Sequence, residues 1–202
     1  GPPAVPLVVT LGGISASRHV TSTVGDTSDG WWQDVVGTGR AIDTKEYRVL
    51  SFDYIDGGST KDGRPAALVS THDQADALAH VLDTLRIARV HAIVGASYGG
   101  MVALAFAERY PDRVGRLIVI SAPHETHPMS TALRTIQRRI VTLGIETERT
   151  HDALVLARAL AMTTYRSANE FAQRFASTPD ATTEAGATFP VENYLLHNRE
   201  KF

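Results

Sequence analysis

The sequence predicts an α/β protein in which helices pack on a parallel β-sheet. Strand-like and helix-like runs alternate over the first part of the chain, and this alternation is typical of βαβ units. After Ser121 the strand-like runs stop, and three helix-like segments follow one another. With 202 residues, the chain is long enough for one sizeable core. We therefore divide it into a core segment, residues 1–122, and a helical segment, residues 123–202, which we expect to form a cap over the carboxyl ends of the strands.

Four strands are predicted from short runs rich in apolar and β-branched residues. Residues Val5–Leu11 are continuously apolar, as in a strand that is covered on both faces. Further strands are expected at residues 47–53, 89–94 and 116–121. Ligands bind at the carboxyl ends of parallel strands, where the pattern places Gly12, Asp53, Ser97 and Ser121.

Helices are predicted from apolar spacing and from capping residues. Thr71 and Gln74 predict a capping box at the start of a helix over residues 71–86. A second helix follows over residues 100–110 and is ended by Pro111. We expect a short helix over residues 28–39, three helices over residues 129–143, 151–163 and 167–176, and a linker over residues 177–188.

The most informative motif is Gly95-Ala-Ser-Tyr-Gly99, a G-x-S-x-G turn between a predicted strand and a predicted helix. In this context the motif is typical of a nucleophile elbow, where a tight turn strains the serine and exposes its hydroxyl. Gly95 and Gly99 would leave room for the turn, and the Tyr98 N–H at the helix start could donate to an oxyanion. The sequence thus predicts Ser97 as a nucleophile on an α/β-hydrolase-like core; a glycine-rich turn without catalysis is the alternative.

Composition excludes several other kinds of site. The formal net charge of −2 gives no general attraction to nucleic acid or to an anionic membrane. The absence of cysteine excludes disulfides and thiolate chemistry and is compatible with the cytoplasm. His124 and His127 lie three residues apart without a carboxylate cluster, so we expect no metal site.

Three weaker features have two interpretations each. His19 is interpreted as a structural histidine rather than a pocket residue. Asp53 and Asp56 flank Tyr54, and either a metal or acid role or ordinary turn chemistry explains them. The pair Trp31-Trp32 is interpreted as core or pocket wall rather than a stacking platform for bases.

Longer motifs extend the elbow over nearly the whole chain. They comprise residues 95–104, 110–114, 120–122, 137–140, 164–167 and 190–195, together with residues 11–15, His19, Trp31-Trp32, Gly39 and residues 41–44. In content and order they closely resemble the homoserine O-acyltransferases, which are α/β-hydrolase-fold enzymes of methionine biosynthesis. The resemblance implies transfer of an acetyl or succinyl group from acyl-coenzyme A to the hydroxyl of L-homoserine, through an acyl-serine at Ser97.

The resemblance also implies roles for four further residues. Tyr98 and Ile14 would supply the backbone N–H groups of the oxyanion hole. Arg138 would grip the carboxylate of the amino acid, a role that suits its planar fork of donors, although a solvated helix charge is the alternative. Tyr165 would lie near that site, with ordinary packing as an equal alternative. Acyl-coenzyme A is then a co-substrate, no cofactor is needed, and the expected form is a cytoplasmic homodimer.

The chain departs from the family pattern in its catalytic acid and base. In the family these follow the nucleophile in the order Ser, Asp, His, downstream of the helical cap. None of His124, His127, His151 and His197 lies where that base belongs. We therefore expect the acid and base to lie outside this chain and the core to be truncated at both ends, with an exposed sheet edge. A serine without its base loses several orders of magnitude in rate, so the chain alone is expected to be inactive. An esterase-like hydrolase, serine as acceptor and a non-catalytic fragment remain alternatives.

Overall fold

A computed structural model describes residues 5–58, 67–183 and 186–196. Over these residues the chain forms two units, one up to His124 and one from Glu125 onward.

The first unit is built on a four-stranded parallel sheet. In chain order its elements are β1 (Leu7–Leu11), β2 (Val36–Gly37), β3 (Ile42–Asp43), β4 (Arg48–Leu50), α1 (Thr71–Thr84), β5 (Ala92–Ala96), α2 (Tyr98–Arg109) and β6 (Leu117–Ile120). The main sheet has the order β4-β1-β5-β6, all parallel, whereas β2 and β3 form a separate parallel pair. The predicted fold class is confirmed, and the carboxyl ends of β1, β5 and β6 lie at one edge of the sheet.

Both faces of the sheet are covered, which explains the unbroken apolar run of β1. On one face, Leu7, Val9 and Leu11 pack with α1 and α2 in a core that contains Phe106. On the other face, Val8 packs with residues of the segment between β1 and β4. All five residues of β1 are buried, as the sequence predicts.

The helix predicted over residues 28–39 is wrong. Turns over residues 31–35 lead directly into β2. The backbone of Gly30 lies so close to Val20 that a Cβ would be 2.1 Å from its carbonyl carbon, and the Trp32 N–H donates to the Val20 carbonyl over 2.9 Å. The Trp31 and Trp32 N–H groups bond to a distant segment, and the backbone bonds within residues 30–36 close short turns rather than a continuous helix. The rings of Trp31 and Trp32 stack 4.9 Å apart against the core, which confirms their interpretation as core residues.

Helix α1 is capped one residue earlier than predicted. The Ser70 hydroxyl accepts the Asp73 N–H over 3.2 Å, and the Asp73 carboxylate accepts the Ser70 N–H over 2.7 Å. This is a capping box, but the prediction that Thr71 and Gln74 form it is wrong. Gln74 instead faces the core and is 2% exposed.

We expect Ser70→Ala to lower the free energy of unfolding by about 1 kcal/mol, because a helix N–H loses its acceptor. Hydrogen bonds from the Ser70 hydroxyl and backbone lower the pKa of Asp73. A carboxyl group with a lowered folded-state pKa stabilises above its ordinary pKa, and this contribution is lost as the pH falls through the folded-state value. Denaturation at neutral and acid pH measures both effects. Thr71→Ala is the control, and equal losses in the two variants would contradict the assignment.

The second unit is mainly helical, and the three predicted helices are confirmed. Its elements are α3 (Pro128–Glu146), α4 (Thr150–Met162), α5 (Ala168–Arg174), β7 (Ala181–Thr183), β8 (Gly186–Thr188) and α6 (Pro190–Leu196). Strands β7 and β8 pair antiparallel. The prediction of a plain linker over residues 177–188 is therefore wrong.

Strand β6 is an outer strand of the sheet. Ile118 and Ile120 are 49% and 41% exposed, and among the described residues β6 pairs only with β5. The expected exposed sheet edge is therefore present. None of the helices in the described ranges has the length and apolar character needed to cross a bilayer.

Candidate active site

Ser97 lies in a strained turn between β5 and α2. Its backbone angles are φ 55° and ψ −120°, a conformation that non-glycine residues rarely adopt. The turn is held because the Ser97 N–H donates to the Ile120 carbonyl over 2.9 Å and the Ser97 carbonyl accepts the Gly100 N–H over 3.0 Å. Ser97 is exposed, and its hydroxyl makes no capping bond to α2. The strained, exposed serine expected of a nucleophile elbow is present.

Two glycines make this turn possible. A Cβ on Gly95 would be 2.3 Å from the Gly99 carbonyl oxygen, and a Cβ on Gly99 would be 2.2 Å from the Leu11 carbonyl oxygen. Both neighbours are backbone atoms, which cannot turn aside as a side chain could. The expected close approach of backbone at these positions is confirmed.

The two predicted oxyanion donors belong to adjoining segments. The Tyr98 N–H lies in the first turn of α2, where backbone N–H groups have no partner within the helix. Ile14 is 70% exposed in a turn that the Ala16 N–H closes onto the Gly13 carbonyl over 2.9 Å. The Gly99 N–H donates to the Gly12 carbonyl over 2.9 Å and so joins this turn to the elbow. The donor roles of Ile14 and Tyr98 stay predictions.

The segment after β4 touches the same loop, through contacts that the sequence does not reveal. The Tyr54 hydroxyl donates to the Gly12 carbonyl over 2.8 Å, and its ring meets that of Tyr98 edge-on, with centroids 5.0 Å apart. Burial raises the pKa of Tyr54, and the neighbouring Tyr98 raises this pKa by a smaller amount. Asp53 accepts the Arg18 N–H over 2.7 Å. In the sequence, the only signal for these contacts is that Asp53 and Tyr54 follow a strand, at the carboxyl edge of the sheet.

The Asp56 side chain stabilises an ordinary turn. Its carboxylate accepts the Gly58 N–H over 2.9 Å, two residues further along the chain. Together with the contact of Asp53 to Arg18, this favours the loop interpretation of the two carboxylates.

His19 is a structural histidine, as expected. Its Nε2 lies 3.0 Å from the Ser28 carbonyl oxygen, and its Nδ1 lies 3.5 Å from an Asp26 carboxylate oxygen. Hydrogen bonds from Ser28 lower the pKa of Asp26. Other histidines also have partners away from Ser97: His72 contacts Glu108, His91 contacts Arg116, and the His127 Nδ1 accepts the Met129 N–H. His197 lies outside the described residues.

The predicted substrate-binding residues lie in the second unit. Arg138 is exposed on α3, and its Nη2 donates to the Thr135 hydroxyl oxygen of the same helix over 3.1 Å. Tyr165 follows α4 and is 70% exposed. Both side chains are therefore accessible within their own unit, and their roles stay predictions.

Comparisons with known proteins agree with this architecture. The family described as alpha/beta hydrolase fold matches residues 6–196. A homoserine O-succinyltransferase of Xanthomonas campestris pv. campestris is 43% identical, over 89% of this chain and 48% of its own length. A serine O-succinyltransferase of Emericella nidulans is 34% identical, over 94% and 41% respectively.

A solved structure extends the likeness. The crystal structure of a homoserine O-acetyltransferase from Staphylococcus aureus is 28% identical with a TM-score of 0.73, covering 100% of this chain and 57% of that one. The chain thus spans about half the length of the relatives that it matches.

Proposed function

Since the chain belongs to the alpha/beta hydrolase family, we propose that it carries the nucleophile of an acyltransferase that acylates the hydroxyl of L-homoserine. The observation that carries the proposal is the exposed Ser97 at φ 55°, on a turn between β5 and α2. Its support is the sequence likeness to proteins named homoserine and serine O-acyltransferases. The proposed donor is an acyl-coenzyme A thioester.

The proposed reaction has two steps. In the first, the Ser97 oxygen attacks the thioester carbonyl carbon, the carbon–sulfur bond breaks, and coenzyme A leaves with the serine proton. In the second, the homoserine hydroxyl oxygen attacks the carbonyl carbon of the acyl-serine, the bond from that carbon to the Ser97 oxygen breaks, and the proton of the homoserine hydroxyl passes to Ser97. The Tyr98 and Ile14 N–H groups stabilise the negative oxygen in both steps. We expect a histidine other than those described in the candidate site to act as the base that carries these protons.

Product analysis tests this function in the protein as its gene encodes it. We expect O-acylhomoserine from homoserine and an acyl-coenzyme A, with acetyl and succinyl donors and homoserine and serine acceptors compared in parallel. Release of the free acid at the same rate with and without amino acid would instead indicate an esterase-like hydrolase. Absence of both products would contradict acyl transfer.

We further propose that Arg138 binds the carboxylate of the amino acid. A hydrogen bond to a charged group contributes about 1.5–3 kcal/mol, which corresponds to about 10- to 100-fold in binding. We therefore expect Arg138→Ala to raise the KM for the amino acid about 10- to 100-fold and to leave the KM for acyl-coenzyme A within about twofold. Arg139→Ala, at the next position of α3, is the matched control. Equal effects of Arg138→Ala on the KM values of both substrates would contradict the carboxylate role. Tyr165→Phe tests the second predicted contact in the same assay.

A homodimer in the cytoplasm is proposed as the working form. Helix α3 exposes the apolar side chains of Ile136 and Leu143, the kind of surface that subunit interfaces bury. Light scattering of the protein as its gene encodes it should give twice the mass of one chain, and a monomer at working concentration would contradict the dimer.

A further inference from the structure

The loop from Gly12 to Arg18, which we call the oxyanion loop, is not fixed by packing at its apex. Ile14 is 70% exposed, and a Cβ on Gly13 would have no atom within 4 Å. The one backbone bond within the loop joins the Ala16 N–H to the Gly13 carbonyl. A loop with an open apex takes its position from its ends.

The first end is held by Tyr54. Its hydroxyl and the Gly99 N–H both donate to the carbonyl of Gly12, over 2.8 and 2.9 Å. One carbonyl oxygen has two lone pairs, so both bonds can form at once. The Tyr54 ring also packs edge-on against Tyr98, whose N–H is the other proposed oxyanion donor. Tyr54 therefore contacts both the oxyanion loop and the start of α2, the two segments whose N–H groups are proposed to bind the same oxyanion.

The second end is held by Asp53, together with Trp31. Its carboxylate accepts the Arg18 N–H over 2.7 Å, and the Arg18 guanidinium lies 3.4 Å from the other oxygen. The ion pair is largely exposed and is expected to contribute little by itself. Two bonds to the main chain fix this end of the loop: the Arg18 N–H donates to Asp53, and the Trp31 indole N–H donates to the Ser17 carbonyl over 2.9 Å.

The segment that contains Asp53 and Tyr54 is itself bound to helix α1. The Gln74 side chain of α1 is 2% exposed, accepts the Ile55 N–H over 3.0 Å, and donates to the Ile55 carbonyl over 2.7 Å. Both polar groups of a buried amide are thus bonded to one residue next to Tyr54. The segment from Asp53 to Ile55 is a firm support between α1 and the oxyanion loop.

We propose that Asp53 and Tyr54 are positioning residues that set the oxyanion loop relative to Ser97. They hold its two ends, so that the Ile14 N–H meets the same oxygen as the Tyr98 N–H. The inference rests on the proposed acyl transfer at Ser97, and it assigns a role to two side chains that take no part in the bonds made and broken. Such residues change kcat more than KM, because the oxygen they serve becomes negative only in the transition state.

The first test uses Asp53→Ala, Asp53→Asn and Tyr54→Phe in the protein as its gene encodes it. We expect Asp53→Ala to lower kcat at least about tenfold with both KM values within about twofold, since removal of one oxyanion donor costs about 100- to 1000-fold. Asp53→Asn keeps an acceptor for the Arg18 N–H and should recover most of kcat. Tyr54→Phe keeps the ring, loses the bond to Gly12, and should also lower kcat about tenfold.

Asp56→Ala is the matched control, because Asp56 lies in the same segment and bonds only within its own turn in the contacts described above. A kcat for Asp53→Ala equal to that of Asp56→Ala would overturn the proposal. So would an Asp53→Asn variant as slow as Asp53→Ala, since charge rather than the hydrogen bond would then matter. If Asp53→Ala fails to fold, Tyr54→Phe decides by the same criterion.

The second test separates this proposal from the proposed substrates. A fluorophosphonate probe reacts with an activated serine: the serine oxygen bonds to phosphorus, the phosphorus–fluorine bond breaks, fluoride and the serine proton leave, and the phosphoryl oxygen takes the place of the oxyanion. We expect Asp53→Ala and Tyr54→Phe to label Ser97 about tenfold more slowly than the unaltered protein, with Asp56→Ala unchanged. If the unaltered protein labels but forms no ester, the acyltransferase proposal fails while the labelling rates still decide this one. Equal labelling rates in all variants would overturn it.

Discussion

Ser97→Ala is expected to abolish formation of the acyl-enzyme, seen as loss of the mass increase after incubation with acyl-coenzyme A. The variant removes only the hydroxyl oxygen at a position where the backbone is fixed by the bond from the Ser97 N–H to the Ile120 carbonyl. Because no other group supplies the attacking oxygen, kcat should fall by about 10⁴-fold or more. Alanine at φ 55° carries the same Cβ strain as serine, so the fold should be retained.

Ser70→Ala is the control for this experiment. It removes a serine hydroxyl from the same unit, at the start of α1, where the hydroxyl serves only as a helix cap in the contacts described. Its acyl-enzyme should form as in the unaltered protein. A mass increase that persists in Ser97→Ala, located by peptide mapping at another residue, would contradict the nucleophile assignment.

Gly99→Ala is expected to damage stability and acylation together. The added Cβ would lie 2.2 Å from the Leu11 carbonyl oxygen and 2.6 Å from that of Gly12. Both obstacles are main chain, so α2 must move away from β1 and break the bond from the Gly99 N–H to the Gly12 carbonyl. We expect a loss of about 3 kcal/mol in the free energy of unfolding, at the upper end of overpacking effects. This outweighs the gain of about 1 kcal/mol for replacing glycine in a helix.

Chemical denaturation measures the effect, with Gly13→Ala as the matched control. A Cβ on Gly13 meets no atom within 4 Å, so its free energy of unfolding should change by less than about 0.5 kcal/mol. If Gly99→Ala were as stable as Gly13→Ala, the close approach of α2 to β1 would not be what requires glycine there.

The sheet and most helices could be predicted because their signals are local. The continuous apolar run of β1 directly reflects a strand buried on both faces, and Pro111 marks the end of α2. The segment around Trp32 could not be predicted in this way. Its N–H bonds to Val20, twelve positions away, and such a pairing leaves no periodic pattern.

The same difference between local and long-range signals applies to the candidate site. Ser97 is found by its motif, because the elbow is built from consecutive residues. The contacts of Asp53 with Arg18 and of Tyr54 with Gly12 join residues 35 and 42 positions apart, and nothing in the spacing indicates them. The capping box lies one position before the predicted one because serine, threonine and aspartate follow one another closely there, and only the hydrogen bonds distinguish them.

The place of β5 within the sheet has a consequence for which parts of the molecule can adapt. It is paired on both sides, with β1 and β6, so its amide hydrogens should exchange with solvent more slowly than those of β4 and β6, the outer strands among residues 5–58, 67–183 and 186–196. The nucleophile therefore extends from one of the two inner strands, β1 and β5, which are expected to open after the outer ones. Any difference between small and large acyl groups, or between one amino-acid acceptor and another, has to be accommodated by segments that open earlier, such as the turn around Ile14. Selection for new substrates would then change loops while leaving the strand that carries Ser97 untouched.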